Sequence, residues 1–290
     1  MDIRELAREE WEAAEWGARL REIPQPPAKL WARGAMIPAG HKALVVVGSR
    51  AMTRYGEEAC RLLVAGLAGY PISIVSGLAL GMDTAAHKAA LAAGLHTLAL
   101  PGSGLGDDVI YPRSNRGFAL EILDAGGGML AEYAPEEKTR LHYFPARNRL
   151  MVGIADAVLI IEAGQKSGTL ITARLAAEYN RDLLAVPHRI GDPHAFGPHL
   201  FIRLGATLVT EPLHILEALG IAPRDEGGAR EAPSDLEETE RTVWDALAEP
   251  LPRDELLRAV GGNAGEALTA LVALELRGLA KEEFGAWRRV

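Results

Sequence analysis

Four segments of strand length each end in a loop containing glycine or serine: apolar runs at residues 43–47 (ALVVV) and 157–161 (AVLII), and the strand patterns at 72–75 (ISIV) and 96–100 (HTLAL). Unbroken runs of this length suit strands covered on both faces, as in a parallel sheet. Helical patterns follow them: one from about Thr53, a plausible N-cap, one through Ala93, and further ones at 114–125, 170–179 and 211–219. Shorter strands are expected at 129–131, 183–186 and 207–209. Strand–loop–helix repetition predicts an α/β fold with a doubly wound, Rossmann-like parallel sheet. Ligands of such sheets sit where loops leave the carboxyl ends of the strands, so the loops after Val47, Val75, Leu100 and Ile161 are the candidates.

The remaining chain divides around this unit, which spans residues 41–222. Residues 1–40 read as a short N-terminal helical extension and linker. The helix, to about residue 22, carries Trp11 and Trp16, expected to pack on the main domain; residues 23–27 (IPQPP) break it, and Leu30 and Trp31 anchor the linker that runs to Gly40. Residues 223–238 read as an acidic linker. In residues 239–290 helical periodicity returns at Val243 and Leu247, Leu256, Leu257 and Val260, then Leu268, Leu271, Leu274 and Leu276; a short hairpin at 279–290 completes a winged-helix pattern.

Net charge is −8, which argues against a nucleic-acid binder until it is divided along the chain. Residues 41–222 hold 16 Lys+Arg against 17 Asp+Glu, whereas residues 223–290 hold 9 against 15. Acidity is concentrated at the C-terminal end, which argues against tight phosphate-backbone contact by that domain and for a protein partner or an altered role. Residues 138–149 contain Lys138, Arg140, Arg147 and Arg149 and no acidic residue. A local basic patch on a near-neutral domain suffices for a polyanion, because screening makes nearby charges count most. The single cysteine, Cys60, excludes an intramolecular disulfide and fits a reducing cytoplasm. No apolar run approaches a membrane span.

The segment 144–178 concentrates the chemistry. Gly164, Gln165, Lys166, Ser167, Gly168 and Thr169 leave a strand and open a helix, where free amides, the helix dipole, a cation and two hydroxyls favour an anion. Phe144 beside Arg147, Asn148 and Arg149 pairs a base-stacking aromatic with guanidinium groups. The alternative puts Phe144 in the core and the arginines in ion pairs with Asp156 or Glu162. Gly48, Ser49 and Arg50 bind phosphate, or form a tight turn with a surface arginine; Ser76 and Gly77 present the same choice. Asp83 is read as capping the helix that holds His87, and His87 as a packed histidine. Gly102-Ser103-Gly104-Leu105-Gly106 is not the dinucleotide fingerprint, and Gln165 stands where a P-loop needs glycine, so no cofactor is expected. His188, His194 and His199 are read as loop histidines rather than metal ligands. Ser49, Ser76 and Ser167 lack an evident base, which argues against an enzyme.

These motifs, with Thr53, Tyr55-Gly56, Tyr111-Pro112, Asn115, Phe144-Pro145 and Ser167 to Ala173, together resemble the DprA/Smf DNA-processing family over about residues 43–212. The resemblance implies an extended Rossmann fold that binds single-stranded DNA and loads the RecA recombinase during natural transformation, as a homodimer and without catalysis. It places the DNA pocket at Gly48 to Arg50, Phe144 to Arg149 and Lys166 to Thr169, and implies a C-terminal winged helix as in some members. Departures are an N-terminus shorter than the helical domain of many members, Ala131-Glu132 for Ser-Glu, and Pro187-His188 for Pro-Gly. The alternative is a nucleotide phosphoribohydrolase of the LOG or lysine decarboxylase-like kind, whose motif would require a glutamate where Thr172 stands.

Overall fold

The computed structural model describes residues 2–224, 233, 235–249, 251–261, 263–283 and 285–289. The chain forms two units, Met1–Ala222 and Pro223–Val290.

In chain order the first unit contains β1 (Ile3–Ala7), α1 (Arg8–Ala13), α2 (Glu15–Ala18), β2 (Lys29–Gly34), β3 (Lys42–Val47), α3 (Arg54–Ala65), β4 (Ile72–Ser76), α4 (Met82–Ala92), β5 (His96–Ala99), α5 (Arg116–Asp124), β6 (Gly128–Ala131), α6 (Tyr143–Ile154), β7 (Ala157–Ile160), α7 (Thr169–Glu178), β8 (Asp182–Ala185), α8 (Phe196–Arg203), β9 (Thr207–Leu208) and α9 (Pro212–Ala218). One nine-stranded sheet has the order β1-β2-β6-β5-β4-β3-β7-β8-β9. From β6 to β9 every pairing is parallel. The parallel part starts in the middle at β3, winds outward through β4, β5 and β6, then returns to β7 beside β3 and winds the other way. The strand order therefore reverses between β3 and β7, with Val47 opposite Ile160. A crevice opens at such a reversal because the two flanking loops diverge.

Side chains of β3 alternate as a pleat requires. Val45 and Val47 join one core cluster with Leu98, Val158, Ile160, Leu150 and Ala173. Leu44 and Val46 join the other with Ile74, Leu159, Cys60, Leu63 and Ala90. Both faces of the sheet are covered, as the unbroken apolar runs require.

The N-terminal segment differs from the expected helix and linker. Residues 3–7 and 29–34 are antiparallel strands: Leu6 pairs with Leu30, and β2 continues onto β6 with Trp31 opposite Ala131. Helix propensity in an Ala/Glu-rich segment is a weak preference, and completing the open edge of β6 supplies a full ladder of hydrogen bonds against it. Helical structure survives in α1 and α2, where Trp11 is fully buried with Leu20 and Ile23 and Trp16 packs on the same cluster.

In the second unit α10 (Glu238–Ala246), β10 (Leu251–Pro252), α11 (Arg253–Val260), α12 (Ala264–Leu276), β11 (Ala280–Glu283) and β12 (Ala286–Arg289) form a winged helix with a β10-β12-β11 sheet. Val243, Trp244, Leu247, Leu256, Leu271, Leu274 and Trp287 build its core. Leu276, expected on the apolar stripe, is 84% exposed: the buried face of α12 runs through Ala267, Ala270, Leu271 and Leu274. Of the expected acidic linker, residues 225–232 and 234 lie outside the described residues.

Candidate nucleic-acid interface

A cavity of about 1340 Å³ opens at the carboxyl ends of β3 and β7, where the strand order reverses. That exceeds the roughly 300–1,000 Å³ usual for a small-molecule site. Its lining includes Gly48, Ser49, Arg50, Phe144, Arg147, Asn148, Lys166, Ser167, Gly168 and Thr169. Ser76, Gly77 and Arg149, expected at the same site, are not among them.

The loop after β3 begins at Gly48, where a Cβ would come within 2.6 Å of the Met82 side chain, so packing demands glycine. The Ser49 hydroxyl accepts from the Ala51 amide at 3.1 Å and its carbonyl accepts from the Met82 amide at 3.0 Å. Arg50 is exposed, and its guanidinium lies 5.0 Å from the Phe144 ring centroid, a cation–π arrangement. The loop after β7 is tied across the crevice: the Thr169 hydroxyl donates to the Gly48 carbonyl at 3.0 Å. The expected free amides at the start of α7 are largely spent. Ser167 N donates to Gly164 O, Leu170 N to Ser167 O, Ile171 N to Gly168 O, and Thr169 N to the Ser167 hydroxyl. The charge this loop offers to the cavity is therefore that of exposed Lys166, while Ser167 and Thr169 hold its shape.

Residues 143–154 form helix α6, which the basic segment did not announce. Pro145 is third in its first turn, where a missing N–H costs no helical bond. Helical spacing then sorts the motif. Phe144, Arg147, Asn148 and Met151, at i, i+3, i+4 and i+7, share the cavity face, and Arg149 points elsewhere. Arg149 Nη2 donates to both oxygens of Glu132 at 2.6 and 2.5 Å, rather than to Asp156 or Glu162, the partners of the alternative reading. Asp156 instead meets Arg19 at 2.9 Å.

Arg147 is buried and donates to the Leu100 carbonyl. Gly77 lies against both Arg147 and Asp83: a Cβ there would overlap the Arg147 guanidinium and stand 2.5 Å from Asp83 Oδ2. Asp83 does not cap α4, whose N-cap is Gly81; its carboxylate accepts from the Ala79 amide at 3.3 Å. Burial pushes the Asp83 carboxyl above the usual range, opposed by the Arg147 charge and the Ala79 amide. Ser76 is fully buried and donates to the Val46 carbonyl at 2.7 Å. Arg147, Ser76 and Gly77 are thus supports of the site floor.

His87 is fully buried. The Thr97 hydroxyl donates to Ile74 O at 2.8 Å, so its oxygen accepts from His87 Nδ1 at 2.7 Å, and the neutral ring keeps its lone pair on Nε2. Burial pushes its pKa down to about 3, with the Arg147 charge acting in the same direction. The glycine loop after β5 serves packing: a Cβ on Gly102 would stand 2.7 Å from the Phe144 ring, and the amides of Gly104 and Gly106 donate to Glu137 O and Pro135 O. His188 Nε2 and His194 Nδ1 each lie 3.9 Å from the buried Glu162 carboxylate, which accepts from the Thr53 amide at 3.0 Å and from its hydroxyl. Among the described residues no group of three or more His, Cys, Asp or Glu is placed to hold a metal ion.

Sequence reasoning missed two contributors. Tyr111, 42% exposed, has its ring centroid 5.6 Å from that of Phe144, which enlarges the aromatic surface beside Arg50. Its place in the Tyr111-Pro112 pair was visible, but its proximity to Phe144 is purely tertiary. Helix α8 also lines the cavity, from a stretch that reads as a Pro/Gly-rich loop.

Fold and cavity together define a Rossmann-like binding protein with a cationic, aromatic crevice and an appended winged helix. The chain belongs to the DNA recombination-mediator protein A family, whose model matches residues 10–220; the DprA winged helix domain matches residues 228–285. Protein Smf of Escherichia coli (strain K12) is 37% identical over 260 residues, which cover 87% of this chain and 69% of that protein. The DNA processing protein DprA of Streptococcus pneumoniae (strain ATCC BAA-255 / R6) is 40% identical over 200 residues, 68% of each chain. An X-ray structure of DprA from Streptococcus pneumoniae aligns with a TM-score of 0.69 and 37% identity, over 75% of this chain and 74% of that one. A structure of DNA processing protein A from Helicobacter pylori, described for its single-stranded DNA binding mode, aligns with a TM-score of 0.64 and 29% identity, over 76% and 96%.

Proposed function

We propose that the crevice binds single-stranded DNA, that the protein passes this DNA to the RecA recombinase, and that it does so as a cytoplasmic homodimer. One observation carries the DNA reading: Arg50 and Phe144 stand in cation–π contact at the strand-order reversal, facing a cavity that Lys166 also lines. Arg50 and Lys166 meet phosphates, and Phe144 with Tyr111 offers a stacking surface. Every base has a π-face, so such a site is tolerant of sequence, and its affinity falls with salt. Duplex DNA keeps its bases stacked away from such a platform. RecA transfer, a role in natural transformation and self-association rest on family membership and on the single-stranded DNA binding described for the Helicobacter pylori relative.

The test is an equilibrium titration of fluorescent oligo-dT against duplex of equal length over a range of salt. Preference for the single strand, weakening with salt, is expected. No binding at low salt overturns the reading and makes nucleoside monophosphates the next substrates to screen for base release. RecA assembly on oligo-dT, with and without the protein, then tests the transfer step.

A further inference from the structure

Helix α8 presents Phe196, His199, Leu200 and Arg203 to the cavity, spaced i, i+3, i+4 and i+7. This is the spacing by which α6 presents Phe144, Arg147, Asn148 and Met151. Each helix therefore turns one face to the crevice, with a phenylalanine in its first turn. Phe201, on the other side of α8, is buried in the core and anchors the helix. Its start is fixed as well. The Gly197 amide donates to Ala163 O at 2.7 Å, the Ala163 amide donates to His194 O at 2.9 Å, and a Cβ on Gly197 would stand 2.5 Å from that of Ala163. A helix held this closely to the β7 loop keeps Phe196 40% exposed rather than letting it fold into the core. Ile171, 41% exposed on α7, lines the same cavity.

Not all of the face is available for a ligand. His199 Nε2 is engaged by the backbone of His188, with the carbonyl at 3.0 Å and the amide at 3.3 Å. Phe196 and exposed Arg203 remain. They are seven residues apart, about 10 Å along the helix axis, so they meet different parts of a strand.

We propose that α8 is the second wall of the single-strand groove: Phe196 stacks a base beyond the one at Phe144, and Arg203 meets a phosphate further along. This rests on the single-stranded DNA reading and extends it from one subsite to a path across the crevice. Cavity size supports it, since the volume exceeds what a single small ligand needs.

Full-length Phe196→Ala, Phe196→Trp and Arg203→Ala are titrated beside wild type and Phe144→Ala with an oligo-dT length ladder. Phe196→Ala is expected to weaken binding of long oligomers by about 5- to 100-fold while leaving the shortest bound oligomer unaffected. Phe196→Trp keeps the affinity and adds tryptophan quenching on binding beyond the wild-type signal. Arg203→Ala lowers the salt slope on long oligomers by about 0.7. Should Phe196→Ala fail to fold, the other two variants decide. Long-oligomer affinity and slope unchanged at α8, with Phe144→Ala still weakened, overturns this proposal and leaves the DNA reading standing. Unchanged DNA affinity with an altered oligomeric state in Phe196→Ala assigns the aromatic to a protein interface and also overturns it. Absence of oligo-dT binding by wild type removes both.

Discussion

Three charge-removing substitutions separate a phosphate contact from a mere change in net charge. Arg50→Ala, Lys166→Ala and Arg149→Ala each remove one positive charge from a chain of net −8. Their surroundings differ. Arg50 and Lys166 are exposed at the cavity, whereas Arg149 is held by both Glu132 oxygens on another side of α6. Each phosphate contact on a single strand contributes about 0.7 to the slope of log affinity against log salt, so a fourfold rise in salt weakens each contact by about 2.6-fold. Arg50→Ala and Lys166→Ala are therefore each expected to lower the slope by about 0.7. Arg149→Ala is expected to leave it unchanged and instead to lower stability by about 1–3 kcal/mol, because Glu132, largely buried, loses its charged partner. Anisotropy titrations of oligo-dT at several salt concentrations, with urea melts of each variant, read both quantities. Equal slopes in Arg149→Ala and Lys166→Ala would show that net charge, not contact in the crevice, governs binding. An unaltered slope in both cavity variants would remove the phosphate assignment.

Further outcomes are equally concrete. Phe144→Ala should weaken oligo-dT by about 1–3 kcal/mol with little change in salt slope; a large slope change at intact affinity would contradict stacking. Gly77→Ala forces a methyl into Arg147 and Asp83 and should cost at least about 1–3 kcal/mol in thermal or urea unfolding, and a neutral result would refute the packing given for the site floor. His87 stays neutral in the fold to about pH 3, whereas an unfolded histidine takes a proton near pH 6.5. Its neutrality therefore contributes stability above pH 6.5 that is lost as the pH falls from 6.5 toward 3, on the order of 4–5 kcal/mol. His87→Gln should flatten that part of the pH–stability curve, and an identical acid limb in the variant would count against the assignment. A chain ending at residue 222 should retain most single-strand binding, because the cavity lies wholly within the first unit; complete loss in a folded truncation would make the winged helix the reader.

The parallel sheet was legible because its strands are buried on both faces and so carry unbroken apolar runs, such as Ala43 to Val47. The position of the crevice followed from strand–loop–helix alternation. Strands β1 and β2 were not legible: Ile3 to Ala7 has no strand pattern of its own, and what makes it extended is pairing with β2, which in turn completes the edge of β6, distant in sequence. Helix α6 was obscured by Pro145 and by a dense cluster of charge. Its helical spacing, once known, separates Arg147 and Asn148 from Arg149 by rotation alone, but whether an arginine meets solvent, Leu100 or Glu132 is decided by tertiary neighbours. The glycines after Leu100 looked like a ligand loop because packing against backbone and packing against phosphate both demand the missing Cβ.

The hydroxyl of Thr169 on the carbonyl of Gly48 links the two loops that diverge at the reversal of strand order. A single strand of DNA reaches a protein with most of its torsional freedom intact and surrenders much of it in the groove. A receptor whose own loops also had to be ordered at that moment would add a second entropic loss to the first. Because these loops are already joined, and because their amides are largely satisfied, the crevice proposed for the strand is already in the shape in which it would hold it. On the proposed reading, release requires only that the strand let go, with no loop to reopen, which fits the proposed transfer step.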